Sequence, residues 1–155
     1  MSFRLVNVGD SVPWGQGLLE NEKYDSLLQR ALGSLHPEGV SLERFAHSGA
    51  TITHGNGAVS TSSEVPVARP TITDQINAVP SPDTVDVLLV NGGINDVGVA
   101  TILNPLALVP PLSTLVRTAC YFRMLDVLHY ITQRYTKPSC RVLVTNYYLN
   151  FEPAK

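Results

Sequence analysis

The stretch 85–90 reads VDVLLV, and it is followed at 91–98 by NGGINDVG. A nearly unbroken apolar run of this length is typical of a central strand in a parallel sheet, because helices cover both faces of such a strand. The glycines and asparagines that follow predict a turn at the end of the strand. We therefore predict an open α/β fold built around residues 85–90.

Strands and helices alternate on both sides of this stretch. Further strands are predicted at 4–8 (RLVNV), 40–46 (VSLERFA) and 141–147 (RVLVTNY). Helices are predicted at 20–35, at 71–79 with Thr71 or Thr73 as its N-cap, and at 112–135. This alternation favours a single domain over residues 1–155, folded as a three-layer α/β/α sandwich around a parallel sheet.

Composition and charge exclude several classes of protein. The 155 residues are 44% hydrophobic and 15% charged, which is typical of a globular domain. Lys and Arg form no basic stripe, so we expect no nucleic acid partner. With no transmembrane-length apolar run and no visible secretory leader, we predict a cytoplasmic protein, although a removed leader would leave secretion open. Cys120 and Cys140 lack metal-ligand spacing and are predicted to be reduced core thiols.

A polar or glycine-rich turn follows each of the first three predicted strands. These turns carry Ser11, Gly49 and Asn95. Because open α/β sheets bind ligands at the carboxyl edge of their strands, we expect the three residues to meet there. Each also has a purely structural interpretation: Ser11 as a turn residue or helix cap, Gly49 as a loop glycine, and Asn95 as part of an Asx-turn. For Asp96 we favour that local structural role.

Taken together, the three turns resemble the SGNH hydrolases, which are also called GDSL lipases and esterases. Gly9-Asp10-Ser11 corresponds to the first sequence block of that family, with Val12 where leucine is usual. Gly49 corresponds to the glycine of the second block. Gly93-Ile94-Asn95-Asp96 corresponds to the Gly-x-Asn-Asp third block.

This resemblance implies a flavodoxin-like parallel sheet of order 2-1-3-4, with Ser11 flanked by Gly49 and Asn95. It implies an ester hydrolase in which Ser11 attacks the carbonyl and forms an acyl-enzyme. The oxyanion would be bound by the backbone N–H groups of Ser11 and Gly49 and by the Asn95 amide. The substrate would be a small-molecule, lipid or sugar ester, and the chemistry requires no metal or cofactor.

The sequence departs from the family at the general base. The family carries it in an Asp-x-x-His block after a fifth strand, and we expect this chain to lack both segments. Asp126 and His129 match the spacing but lie within a predicted helix on the face of the sheet, where such a pair is not expected to reach Ser11. His47 and His54, in the loop after strand two, are alternative candidates.

Two functions therefore remain open: an ester hydrolase, or a non-catalytic SGNH-fold module that binds a ligand or partner. A nucleotide-binding domain is disfavoured, because Gly15-Gln16-Gly17 is followed by Glu20 where the third glycine is required. The apolar strand four, left as a sheet edge, predicts poor solubility, a homodimer formed edge to edge, or a need for a further C-terminal segment.

Overall fold

The fold is organised around a parallel sheet. The structure, a computed structural model, describes residues 2–53, 70–102, 104 and 109–145. Within these residues the strands are β1 (Phe3–Val8), β2 (Val40–Arg44), β3 (Val87–Val90) and β4 (Arg141–Val144). They pair in the order β2-β1-β3-β4, and every pairing is parallel. The predicted order 2-1-3-4 is confirmed.

Helices flank the sheet on both faces. They are α1 (Ser11–Trp14), α2 (Tyr24–Gly33), α3 (Ile72–Ala78), α4 (Ile94–Val97), α5 (Val99–Ile102), α6 (Val109–Val116) and α7 (Phe122–Arg134). One turn of π-helix, Arg117–Tyr121, joins α6 to α7. No helix in the described part of the chain is long and apolar enough to cross a membrane.

Side chains that alternate along β1 divide the interior into two layers. Val6 and Val8 belong to the main apolar core, together with Ile72 and Ile76 of α3 and Ile131 of α7. Asn7 points to the opposite face, where its amide hydrogen-bonds to residues of α2 (see below). The predicted three-layer α/β/α sandwich is therefore confirmed, with α2 on one face and α3 and α7 on the other.

The ends of several elements differ from the sequence prediction for local physical reasons. The predicted helix 20–35 is interrupted at Lys23, whose backbone is extended, so a short 3₁₀ turn precedes α2. The strand predicted from residue 85 begins at Val87, because Val85 still closes a 3₁₀ turn. For α3 the N-cap is Thr71, whose hydroxyl accepts from the Asp74 N–H at 3.1 Å.

β4 lies at the edge of the sheet as far as the chain is described. Leu143 and Val144 are 47% and 52% exposed, so this edge presents apolar surface. The predicted continuation of the strand to residue 147 extends outside the described residues. The edge-to-edge homodimer remains a prediction.

Candidate active site

Ser11 begins the short helix α1 immediately after β1. Asp10 is the N-cap of this helix, and its carboxylate accepts a hydrogen bond from the Val12 N–H at 3.1 Å. Asp10 and Pro13 are buried, whereas Ser11 is partly exposed. The turn therefore places the Ser11 hydroxyl at the surface, between two residues that are buried. No group in the described residues hydrogen-bonds to this hydroxyl.

The N–H and C=O groups of Gly9 are hydrogen-bonded to α3 and to the loop after β2. The side-chain amide of Gln75, which is buried in α3, accepts from the Gly9 N–H at 2.7 Å and donates to the Gly9 carbonyl at 3.0 Å. The same carbonyl also accepts from the His47 N–H at 2.9 Å. Because both peptide groups of Gly9 are engaged, the turn that carries Ser11 is fixed to α3 and to the loop after β2.

Sequence analysis did not identify Gln75 as a site residue. The available signal was its position: Gln75 lies beside Ile72 and Ile76 on the apolar face of α3, where a buried polar side chain requires a hydrogen-bond partner.

A cluster of polar side chains contacts the same turn on the face of the sheet that α2 covers. The Asn7 amide donates to the Pro13 carbonyl at 3.0 Å and to the Asp25 carboxylate at 2.7 Å. The Tyr24 hydroxyl donates to the Asn7 amide oxygen at 3.0 Å. Arg44 binds both carboxylate oxygens of Asp25, at 2.6 and 2.7 Å. Burial raises the pKa of Tyr24, so its hydroxyl remains a proton donor throughout the neutral range.

The loop after β2 passes next to the Ser11 turn. Ser48 Oγ donates to Gln16 Oε1 at 2.6 Å, and the ring of His47 lies 5.5 Å from the ring of Trp14, measured between centroids. Gly49 has φ +81°, a left-handed conformation that favours glycine. The loop therefore positions Gly49 close to the chain segment that begins with Ser11.

Asn95 lies in α4 and contacts this same loop. Its Nδ2 donates to the Ala50 carbonyl at 2.9 Å, a contact between residues 45 positions apart. Only one of the two Nδ2 hydrogens is needed for this bond, so the amide keeps a second hydrogen for another acceptor. Asn95 is thus anchored beside Gly49 and does not close a local Asx-turn through this bond.

The local Asx-turn that we favoured for Asp96 is wrong. Its carboxylate oxygens accept from the Ile52 N–H at 3.0 and 3.2 Å, and one of them pairs with Arg123 Nη1 at 3.2 Å. Burial raises the pKa of Asp96, while the Ile52 and Arg123 contacts lower it in part. Its role is structural as predicted, but it joins α4 to the loop after β2 and to α7.

The π-helical turn packs against the turn after β3, which carries Asn95. Cys120 Sγ donates to the Gly93 carbonyl at 2.9 Å, and Gly93 has φ +123°. Burial raises the pKa of Cys120 to about 11, so the thiol keeps the proton that it donates. Cys120 and Cys140 are both free and partly buried, which agrees with the predicted reduced thiols.

The structure thus brings together the turns that carry Ser11, Gly49 and Asn95, at the carboxyl edge of β1, β2 and β3. The backbone N–H groups of Ser11 and Gly49 donate to no group within the described ranges of the chain. With the second hydrogen of Asn95 Nδ2, three donors are available at this edge. Their roles in chemistry remain predictions.

The candidate general bases named in the sequence analysis do not all lie near Ser11. Asp126 and His129 are exposed on α7, and His129 Nε2 lies 2.9 Å from the amide nitrogen of Gln133, as expected for residues of a helix surface. His47 is buried next to the Ser11 turn, with Nδ1 2.8 Å from the Ser48 carbonyl oxygen. His54 lies outside the described residues.

A parallel sheet of order 2-1-3-4 with helices on both faces is consistent with the α/β/α fold of the SGNH hydrolases. The chain is 19% identical to the lipase Lip_vut3 from a goat rumen metagenome, with a TM-score of 0.63. It is 20% identical to phospholipase A1 from Streptomyces albidoflavus (TM-score 0.56) and 22% identical to the SGNH-hydrolase family esterase AlinE4 (TM-score 0.55).

The comparisons cover 95%, 95% and 93% of this chain but 65%, 60% and 58% of those three proteins, in the same order. The chain therefore spans less than two thirds of the length of each. No protein-family model matches the sequence, and no curated protein matches it. At these identities the likeness establishes the fold.

Proposed function

We propose that this chain supplies the nucleophile and the oxyanion hole of a carboxylic ester hydrolase. The observation that carries the proposal is the hydrogen bond from Asn95 Nδ2 to the Ala50 carbonyl, at 2.9 Å. It holds the Asn95 amide next to Gly49, whose loop is itself bonded to the Ser11 turn through Gly9 and Gln16. Three chain segments that are remote in sequence therefore contact one another, which supports the proposal that they form one reaction centre.

The proposed mechanism is acyl transfer through serine. Ser11 Oγ attacks the ester carbonyl carbon, and its proton passes to a general base. The carbonyl oxygen becomes an oxyanion that accepts from the N–H groups of Ser11 and Gly49 and from Asn95 Nδ2. Collapse of the tetrahedral intermediate expels the alcohol, which takes up the proton, and water then hydrolyses the acyl-enzyme. The family resemblance assigns the base to an Asp-x-x-His block, and we assign that role to none of the described residues.

The class of substrate follows from this chemistry. An oxyanion hole and a serine nucleophile require a carbonyl carbon with a leaving alcohol, and the similar structures carry the names lipase, phospholipase and esterase. We propose a small-molecule, lipid or sugar ester as the substrate. The competing proposal, a non-catalytic binding module of the same fold, predicts that Ser11 is unreactive.

Covalent labelling with a fluorophosphonate tests the proposal. Attack of Ser11 Oγ on phosphorus forms an O–P bond and expels fluoride, and the serine proton is lost to the solvent. Peptide mapping by mass spectrometry is expected to find the adduct on Ser11 and not on Ser48, which serves as an internal comparison because its hydroxyl already donates to Gln16. An unlabelled Ser11 would contradict the proposal and favour the binding module.

Asn95→Ala is expected to lower kcat for p-nitrophenyl acetate by about 10²-fold, because one oxyanion donor is lost. The lost hydrogen bond to Ala50 should reduce the free energy of unfolding by only ~1 kcal/mol. Asn21→Ala, at an exposed asparagine, provides the matched control and should leave kcat unchanged. Steady-state rates and thermal unfolding of both variants check this prediction. An Asn95→Ala enzyme with the wild-type kcat would remove Asn95 from the oxyanion hole.

A further inference from the structure

We propose that His47 is a positioning residue, whose ring orients the Ser48–Gly49 peptide so that the Gly49 N–H faces the reacting carbonyl. This inference rests on the proposed hydrolase function. It assigns to His47 a task that differs from that of the general base considered in the sequence analysis.

The direction of the hydrogen bond follows from its partners. His47 Nδ1 lies 2.8 Å from the Ser48 carbonyl oxygen, and a carbonyl oxygen can only accept. Nδ1 is therefore the protonated nitrogen that donates. In a planar trans peptide the C=O and the N–H point in opposite directions. Because the ring holds the Ser48 C=O on its own side, the Gly49 N–H is directed away from the ring.

The Gly49 N–H is available in that direction. It donates to no group in the part of the chain that the structure describes. On the other side of Gly49, the Ala50 N–H donates to the His47 carbonyl at 3.0 Å, and the Ala50 carbonyl accepts from Asn95 Nδ2 at 2.9 Å. The Ser48–Gly49 peptide is thus held by the His47 ring, the Gly49–Ala50 peptide by the His47 carbonyl, and the Ala50–Thr51 peptide by Asn95 of α4. This leaves the Gly49 N–H beside the Asn95 amide as a donor of fixed orientation.

The ring of His47 is itself fixed relative to Ser11. His47 is only 7% exposed, and its backbone N–H donates to the Gly9 carbonyl at 2.9 Å. Its ring packs near Trp14, in the same helix as Ser11. The orientation of the Gly49 N–H is therefore coupled through one rigid ring to the turn that carries the nucleophile.

Two substitutions separate positioning from the other roles that His47 could have. Asparagine carries its amide nitrogen two bonds beyond Cβ, as Nδ1 is, whereas glutamine carries it three bonds beyond Cβ, as Nε2 is. His47→Asn therefore keeps the donor to Ser48, and His47→Gln keeps a polar group near Nε2. A packing role would favour the larger glutamine, and a base acting through Nε2 would lose activity in both variants. Only positioning predicts that asparagine alone is tolerated.

The experiment compares the wild-type protein with both variants by NMR and by hydrolysis of p-nitrophenyl acetate. We expect the ring of His47 to carry its proton on Nδ1 in a long-range ¹H–¹⁵N spectrum. In His47→Gln the Gly49 amide resonance should shift, and kcat should fall about 10-fold with little change in KM, because one oxyanion donor is misaligned. His47→Asn should restore both the resonance and most of kcat.

Several outcomes would overturn the proposal. They are a Gly49 resonance unchanged in His47→Gln, a glutamine variant as active as the wild type, and equal losses in the two variants. The NMR comparison requires no turnover. A wild-type protein without esterase activity would therefore reject the proposed function, while the Gly49 resonance would still decide whether His47 orients this peptide.

Discussion

Ser11→Ala is expected to lower kcat for p-nitrophenyl acetate by about 10³- to 10⁶-fold, because the nucleophile is lost. The substitution removes the only atom proposed to form a bond to the acyl group. It leaves the backbone N–H of residue 11 in place, so any residual rate would reflect oxyanion stabilisation alone. Initial rates under saturating substrate, with the variant purified separately from the wild type, measure this loss.

The fold should be unaffected by this change. The Ser11 hydroxyl bonds to no group in the described residues, so the free energy of unfolding should change by less than about 0.5 kcal/mol. Ser2→Ala is a suitable control because Ser2 is exposed and its hydroxyl has no hydrogen-bond partner among the described residues. Equal activity in the wild type and Ser11→Ala would remove Ser11 from the mechanism and support the non-catalytic module.

Gly9→Ala is expected to reduce the free energy of unfolding by roughly 3–5 kcal/mol, a large share of the ~5–15 kcal/mol typical of a domain. A Cβ at this position would lie 2.4 Å from Pro13 Cγ and 2.6 Å from the Asn91 carbonyl oxygen. The φ of +150° is also one that side-chain-bearing residues rarely adopt. Neither neighbour can move easily, because proline is a ring within α1 and Asn91 is main chain.

Substitutions at two other glycines distinguish the steric clash from the unfavourable φ as causes of the lower free energy of unfolding. Gly39 has φ +88° with nothing within 4 Å of a built Cβ, so Gly39→Ala should show only the backbone cost of about 1–3 kcal/mol. Gly33 ends α2 at an ordinary φ and also has open space, so Gly33→Ala should be neutral or stabilising by up to about 1 kcal/mol. Chemical denaturation of the three variants gives the comparison. A Gly9→Ala protein as stable as Gly39→Ala would refute the steric argument.

Hydrophobic patterning in the sequence predicted the strands of the sheet, whereas the resemblance to a known family predicted their order. The apolar run at 85–90 predicted a central strand, because burial on both faces leaves few polar residues in such a strand. The alternation of strands and helices then favoured a parallel sheet. Patterning did not predict two local interruptions of the helices, the break at Lys23 and the π-helical turn at Arg117–Tyr121. Both stretches keep a composition that is compatible with an α-helix, so their composition gives no sign of the interruption.

The sequence by itself determined which residue types stand at the ends of three strands, and the resemblance of those turns to a known family identified Ser11, Gly49 and Asn95. Only the tertiary structure revealed how they are held. Three hydrogen bonds depend on the direction of a side chain: that of Gln75 with Gly9, that of Asp96 with Ile52 and that of His47 with Ser48. Two of them join residues 44 and 66 positions apart. Sequence periodicity reports which face of an element is buried, but a hydrogen bond depends on distances and angles that exist only once the elements have packed.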